Sequence, residues 1–376
     1  MPIVYLHIGL PKTGTTHLQE RLWANRRPAQ DRAGLLFPGS STADHFHAAA
    51  HLQPERFPAW ASPESAGAWP AMLGQMRAWH GDSVVSHELF ATMGPEQIAS
   101  LLGDLDFADE VRVILTVRDL ARQIPSVWQE TLQNRQTTTF DDFFASVANH
   151  APGGPRSPEI PEVSFWELQD YAAIAQRWAE ALGAGQVHIV TVPAAGAVGG
   201  DALWDRFLAV LGVDPALLPE LDHRANNSIG AAQNEFLRRL NVRLGPDVAE
   251  WWRYELLVKR QFGGDALRQT SSGRSGGLSG AHRRWAAGQA DAMIAAVADR
   301  GYALTGSLDD LRVSPHDDGG APAVPPAEDV LEAGLDALAY WIQKMPLPEQ
   351  NPKPPSLARR AAGRAKREAR RLGRLR

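Results

Sequence analysis

The chain contains no cysteine, which excludes disulfide bonds, thiolate metal ligands and a cysteine nucleophile. It also lacks any run of about 18 apolar residues, the length needed to span a membrane. Its first residues, MPIVYLHIGL, do not show the basic stretch and long apolar run of a secretory signal. Together these absences predict a cytoplasmic protein without a transmembrane segment.

Positive charge is concentrated at the C-terminus. The last twenty residues, LARRAAGRAKREARRLGRLR, hold nine Lys or Arg and one Glu, a charge of +8, whereas the whole chain carries −5. Apolar residues are too sparse in this basic tail for a strong membrane helix. An anionic-lipid anchor and a contact for a polyanion are alternatives. We expect a solvated end with weak attraction to anionic surfaces and no specific contact with nucleic acid.

Apolar runs alternate with helical patterns in the first two thirds of the sequence. The runs at 2–9, 83–88, 111–117 and 186–192 are almost continuously apolar, as in strands buried on both faces of a parallel sheet. Helical patterns cover 16–26, 168–182 and 201–212, and later 229–244, 247–262 and 281–301. The order predicts an α/β fold with a P-loop-type central parallel sheet, flanking helices and a helical C-terminal part.

Composition changes near residue 312. We therefore predict one folded domain over residues 1–312 and an extension over 313–376, made of a Pro-rich linker, a short helix and the basic tail. Two Pro- and Gly-rich stretches inside the domain, at 151–163 and 270–280, predict surface loops.

A glycine-rich turn joins the first predicted strand to the first helix, in the stretch VYLHIGLPKTGTTHLQERLW at 4–23. Such a turn is an anion site, because backbone N–H groups converge there at a helix N-terminus. In nucleoside triphosphatases a lysine directly follows the second glycine. Here Thr15 follows Gly14, and Lys12 lies two residues before it. A nucleoside triphosphate is therefore a weak fit to this loop.

The stretch HIGLPKTGTTHLQ resembles the 5′-phosphosulfate loop of the sulfotransferases that use 3′-phosphoadenosine 5′-phosphosulfate (PAPS), close to the bacterial and heparan-modifying branches. The resemblance implies that the donor's phosphosulfate is bound by the residues Lys12, Thr13, Gly14, Thr15 and Thr16. It also implies that Lys12 neutralises the charge that develops on the leaving phosphate.

A second motif of that family recognises the donor's 3′-phosphate with an Arg at a strand end and a Ser eight residues later. The stretch VRVILTVRDLARQIPSVWQETL offers Arg118 and Ser126 at this spacing. Pro125 is tolerated best within the first four helical positions, so we expect the helix to begin near Ala121 or Arg122. Ser126 would then lie in its first turns.

A third family element covers the adenosine and the 3′-phosphate. The best match is HRANNSIG at 223–230, with Arg224 and Asn227 before a helix start. This stretch departs from the R-K-G form of the animal cytosolic enzymes. A plain capped helix start explains it equally well.

The family's general base lies at the end of the strand between the two phosphate motifs. In SVVSHELF this position offers two neighbours, His87 and Glu88. We favour Glu88, because the loop resembles the branches that use Glu, while the ordinary pKa of a histidine lies closer to working pH. The resemblance implies transfer of a sulfuryl group from PAPS, without a metal, to an acceptor hydroxyl on a carbohydrate, lipid or small molecule.

Two other functions remain as alternatives: a P-loop kinase-like enzyme, or a non-catalytic nucleotide-binding scaffold. The segment ADHFHAAAHL adds His45, His47 and His51, of which the last two are spaced i, i+4. No third ligand of the usual kind is spaced with that pair, so acceptor contacts or surface histidines are favoured over a metal site.

Overall fold

The structure is a computed structural model and describes residues 2–58, 63–150, 164–194, 201–218, 229–271, 277–278, 280–314 and 325–345. Six strands form one sheet: β1 (Ile3–His7), β2 (Leu35–Leu36), β3 (Asp82–Ser86), β4 (Glu110–Val117), β5 (Val187–Thr191) and β6 (Ala303–Thr305). Their order is β2-β3-β1-β4-β5-β6, and every neighbouring pair is parallel.

Helices connect and flank the strands. In chain order they are α1 (Thr15–Ala24), α2 (Arg26–Ala33), α3 (Ala43–His51), α4 (Pro63–Ala78), α5 (Pro95–Asp104), α6 (Leu120–Gln133), α7 (Phe140–Asn149), α8 (Phe165–Gln169), α9 (Tyr171–Leu182), α10 (Ala202–Leu211), α11 (Ala231–Arg243), α12 (Trp251–Tyr254), α13 (Leu267–Gln269), α14 (Gly280–Val297) and α15 (Ala327–Lys344). A π-helix, Glu255–Ala266, joins α12 to α13, and short 3₁₀ helices occur at Glu88–Thr92, Ala184–Gln186, Pro215–Leu217 and Leu308–Leu311.

Both faces of the sheet are covered, because successive strand residues point to opposite sides. In β1, Val4 and Leu6 pack into a large apolar cluster, whereas Tyr5 packs into a smaller one formed with α1, α2 and α10. This arrangement explains the continuous apolar runs in the sequence and confirms the predicted α/β fold with a helical C-terminal part.

The two edge strands were not predicted. β2 and β6 contain two and three residues, which is too short for a hydrophobic pattern to be recognised. The predicted helix at 168–182 is also interrupted. Asp170 ends α8 and caps α9 by accepting a hydrogen bond from the N–H of Ala173 at 3.0 Å.

The helix expected after the linker is α15, and it packs against α11 and the π-helix. Its Ala337 is fully buried, and the Trp341 ring lies edge-on to Phe262 at 6.0 Å. This helix therefore packs onto the helical C-terminal part of the fold. The loop predicted at 151–163 and the basic tail lie outside the described residues. No helix in the described part of the chain is both long and apolar enough to cross a membrane.

Candidate functional site

The candidate site lies at the carboxyl ends of β1 and β4, where the direction of the chain through the sheet reverses. From β1 the chain continues to β2 and β3 on one side, then crosses to β4 on the other side. In open parallel sheets, ligands bind in the crevice at this switch point. The Gly9–Gly14 loop after β1 and Arg118 after β4 both lie there.

The loop has an unusual backbone conformation at three residues. Gly9 has φ 31°, Lys12 has φ 69° and Gly14 has φ 92°, all in the left-handed region. Left-handed backbone costs a lysine roughly 1–2 kcal/mol, so the surrounding loop must hold Lys12 in place. Gly14 immediately precedes α1 and lies against Leu203, where a β-carbon would collide. The first-turn N–H groups after Gly14 have no carbonyl one turn earlier to bond, which makes them available to an anion.

The threonines of the loop differ in their surroundings. Thr13 is buried, and its hydroxyl donates to the carbonyl of Leu10 at 2.6 Å and lies 2.6 Å from the hydroxyl of Thr116. A ligand would have to compete with these contacts, so Thr13 mainly shapes the loop. Thr15 is buried in the first turn of α1, whereas Thr16 is exposed.

Lys12 already has a partner. Its ammonium forms an ion pair with the Glu130 carboxylate on α6. Burial raises the pKa of Glu130, but Lys12, and more weakly Lys259 and Arg268, outweigh burial and hold that pKa below its ordinary value. Glu130 lies 118 positions from Lys12 in the chain and was not predicted as a site residue. It follows Ser126 by one helical turn, which is the only hint the sequence offers.

Two arginines follow β4, and the first of them contacts the loop. Arg118 donates from Nη1 to the carbonyl of Lys12 at 3.2 Å, and Arg122 pairs with Asp119. Arg118 Nε and Arg122 Nη2 are buried and have no acceptor among the described residues. Burial, and then the charge of Arg122, lower the pKa of Arg118 to about 10. A bound anion would satisfy these donors and offset the repulsion between the two cations.

Ser126 lies further into its helix than expected. α6 begins at Leu120, one or two residues earlier than predicted, because Asp119 caps it by accepting from the N–H of Arg122 at 3.0 Å. Pro125 is therefore the sixth helical residue, outside the first four positions where it was placed. Ser126 is half-buried in the second turn.

The two candidate bases follow β3, which ends at Ser86. His87 caps the 3₁₀ helix that starts at Glu88, and its Nδ1 accepts a hydrogen bond from the N–H of Leu89 at 3.1 Å. Burial lowers the pKa of His87, partly offset by the charge of Glu88. Glu88 Oε2 is buried and has no hydrogen-bond donor among the described residues. The nitrogen of His87 that could take a proton is thus occupied, and an oxygen of Glu88 is not.

A buried polar network connects the strand ends behind the loop. His7 Nδ1 lies 2.7 Å from the Ser86 hydroxyl, and His7 Nε2 lies 3.3 Å from the hydroxyl of Thr116, which contacts Thr13. On the other side, His45 Nδ1 accepts from the N–H of Ser86 at 3.2 Å. The network holds the loop in a defined position relative to the candidate bases.

Both histidines of this network are uncharged. Burial, and then the charge of His87, lower the pKa of His7 to about 3. Burial lowers the pKa of His45 to about 4, and the charge of His87 adds to this while the Pro38 carbonyl opposes it. His45 is therefore not one of a group of surface histidines. It is buried and stacks on Phe37, with ring centroids 4.2 Å apart.

Arg224 and Asn227, the third predicted contact with the nucleotide, lie outside the described residues. Over the described part of the chain, no three His, Asp or Glu side chains are grouped so as to hold a metal ion.

The chain matches no protein-family model, no curated protein and no solved structure. The class that the fold defines is an α/β protein with a six-stranded parallel sheet. Any assignment of function rests on the chain's own residues.

Proposed function

We propose that this protein is a sulfotransferase that moves the sulfuryl group of PAPS to an acceptor hydroxyl on a carbohydrate, lipid or small molecule. The observation that supports the proposal is that two separate groups of residues suited to bind anions lie at one switch point. The first is the Lys12 loop with the N-terminus of α1, and the second is formed by Arg118 and Arg122 with buried, unbonded N–H groups. PAPS has anionic groups at two separate positions, which suits this arrangement.

Sulfuryl transfer is an in-line displacement in which charge builds on the leaving phosphate oxygen, so positioning and electrostatics provide most of the catalysis. Lys12 would leave Glu130 and neutralise the 5′-phosphate, while Thr15 and Thr16 donate from the first turn of α1. Arg118 would bind the 3′-phosphate, together with Ser126. Glu88 would accept the proton of the acceptor hydroxyl.

A P-loop kinase-like enzyme is supported less well. Its lysine follows the second glycine of the loop, and here that position holds the buried Thr15. A non-catalytic scaffold is also supported less well. Glu88 Oε2 is buried without a hydrogen-bond donor among the described residues, which is unfavourable for stability and has no use in a protein without catalysis.

The test is a calorimetric titration of the full chain with 3′-phosphoadenosine 5′-phosphate (PAP), the product nucleotide, in the absence of metal. We expect micromolar binding, on the order of 8 kcal/mol. ATP with Mg²⁺, titrated in parallel, should bind more weakly, because the loop lacks the lysine that directly follows the second glycine in nucleoside triphosphatases. ATP–Mg²⁺ binding as tight as PAP or tighter would reject the proposal.

Replacing Arg118 should reduce recognition of the 3′-phosphate selectively. A charge-assisted hydrogen bond contributes roughly 1.5–3 kcal/mol, so Arg118→Ala should weaken PAP by about 10- to 100-fold. Binding of adenosine 5′-phosphate, which lacks only the 3′-phosphate, should change much less. The comparison is made by competition calorimetry.

Arg112→Ala is the matched control, because Arg112 lies on β4, the strand that Arg118 follows, but pairs with Glu110 at 2.8 Å at the end of β4 away from the loop. Equal losses for both nucleotides in Arg118→Ala would show that Arg118 does not contact the 3′-phosphate.

A further inference from the structure

A cavity of about 580 Å³ opens beside Lys12, between α6, α7 and α8. Its volume lies within the range of small-molecule sites, roughly 300–1,000 Å³. Aromatic rings form one wall, namely Phe143, Phe165 and Trp166. The Trp166 indole N–H is already bonded to the carbonyl of Val147 at 2.9 Å, so the ring offers the cavity mainly an apolar surface.

The charges of the described residues that line the cavity cancel. The described lining contains one Lys or Arg, which is Lys12, and one Asp or Glu, which is Glu130. These two side chains pair with each other. His150 also lines the cavity, and its Nδ1 is 2.7 Å from the Ser146 carbonyl. The remaining polar lining is made of neutral side chains such as Gln136, Thr138 and Ser164. An anionic ligand would therefore meet the Glu130 carboxylate, and the described lining of the cavity offers it no Lys or Arg other than the paired Lys12.

The donor nucleotide is a poor occupant for the same reason. Neither Arg118 nor Arg122 lines the cavity, although both carry the unbonded donors that suit a phosphate. The cavity and the anion sites thus touch at Lys12 but differ in chemistry. A molecule held in the cavity would have one end next to the loop.

We propose that this cavity binds the body of the acceptor and leaves its hydroxyl at the Lys12 end, that the acceptor is an uncharged hydroxyl compound with a flat apolar body, and that Glu130 is the residue that excludes anionic acceptors. The identity of the site as an acceptor site rests on the proposed sulfuryl transfer. The class of ligand rests only on the lining, so the two can be tested apart.

The experiment compares two probes with the same ring system, 2-naphthylmethanol and 2-naphthoate, by calorimetry on the full chain without nucleotide. The alcohol should bind and the carboxylate should bind at least about tenfold more weakly. In Glu130→Gln, which keeps the shape of the side chain, Lys12 is left without a carboxylate partner. Binding of 2-naphthoate should then rise by about 10-fold or more, since a charge-assisted hydrogen bond replaces a repulsion, while the alcohol changes little.

Two further variants test whether the effect is specific to Glu130 and whether the alcohol lies against the aromatic wall. Glu332→Gln removes the same charge from the exposed face of α15 and should leave both affinities unchanged. Phe165→Ala removes part of the aromatic wall and should weaken the alcohol about three- to tenfold. Thermal unfolding confirms that each variant is folded.

The outcomes separate the two proposals. Equal binding of both probes to the unmodified protein, or no gain of 2-naphthoate binding in Glu130→Gln, would overturn the role of Glu130. Binding of PAP without binding of the alcohol would overturn the acceptor site and leave the donor site intact. Binding of the alcohol without binding of PAP would support the ligand class and reject sulfuryl transfer.

Discussion

Glu88→Gln should lower turnover by about 10²–10⁴ while PAP affinity stays nearly unchanged. Glutamine keeps the shape and hydrogen bonding of the side chain but cannot accept the acceptor's proton. The base touches the acceptor and not the nucleotide, so the loss should appear in kcat. Steady-state kinetics with PAPS and a hydroxyl acceptor, together with PAP titration, measure both quantities.

His87→Asn is the matched variant for this prediction. It should cost much less, because Nδ1 of His87 is occupied by the N–H of Leu89, and Oδ1 of an asparagine can accept that hydrogen bond in its place. If His87→Asn abolishes turnover and Glu88→Gln keeps most of it, the base is His87. If only Glu130→Gln abolishes turnover, the proton goes to the carboxylate beside Lys12.

The second large effect is a loss of stability in acid. His7 and His45 have folded-state pKa values of about 3 and about 4, whereas an unfolded histidine titrates near 6.5. Below pH 6.5 the unfolded chain binds protons that the folded chain does not, so stability is full above that pH and falls as the pH falls. Each histidine should cost about 2 kcal/mol at pH 5 relative to pH 8.

Urea unfolding at a series of pH values between 8 and 5 measures this loss. The slope of the unfolding free energy against pH reports the number of protons that the chain takes up on unfolding. In His7→Asn this number should fall by about one. Ser86→Ala is the control, because it removes the hydrogen-bond partner of His7 without removing a titrating group. Its stability should drop at every pH with the slope retained. A slope that His7→Asn leaves unchanged would mean that His7 is protonated in the folded protein.

The sequence was most informative where one pattern extends over many residues. The apolar runs predicted β1, β3, β4 and β5 because each is buried on both faces and long enough to be recognised. The turn around Lys12 could be predicted as a loop between strand and helix. Its left-handed lysine could not, because lysine rarely adopts that conformation without support from the surrounding fold.

Contacts between distant parts of the chain could not be predicted from the sequence. Glu130 pairs with Lys12 across 118 positions, and His7 meets Thr116 across 109. Neither follows from local spacing, since a glutamate on a helix and a histidine in an apolar strand are each common without any role. The sequence also placed the start of α6 too late, because the preference of Pro125 for early helical positions was given more weight than the cap at Asp119.

The short outer strands limit how readily another chain can pair with the edges of the sheet. A sheet edge exposes a row of unpaired backbone groups on which another chain can add a strand. Here the sheet ends in β2, with two residues, and in β6, with three, against a usual strand length of roughly 5–6. So short an edge offers too few hydrogen bonds to hold an incoming strand in register. The longer apolar strands β1 and β4 lie inside the sheet, with a paired strand on each side.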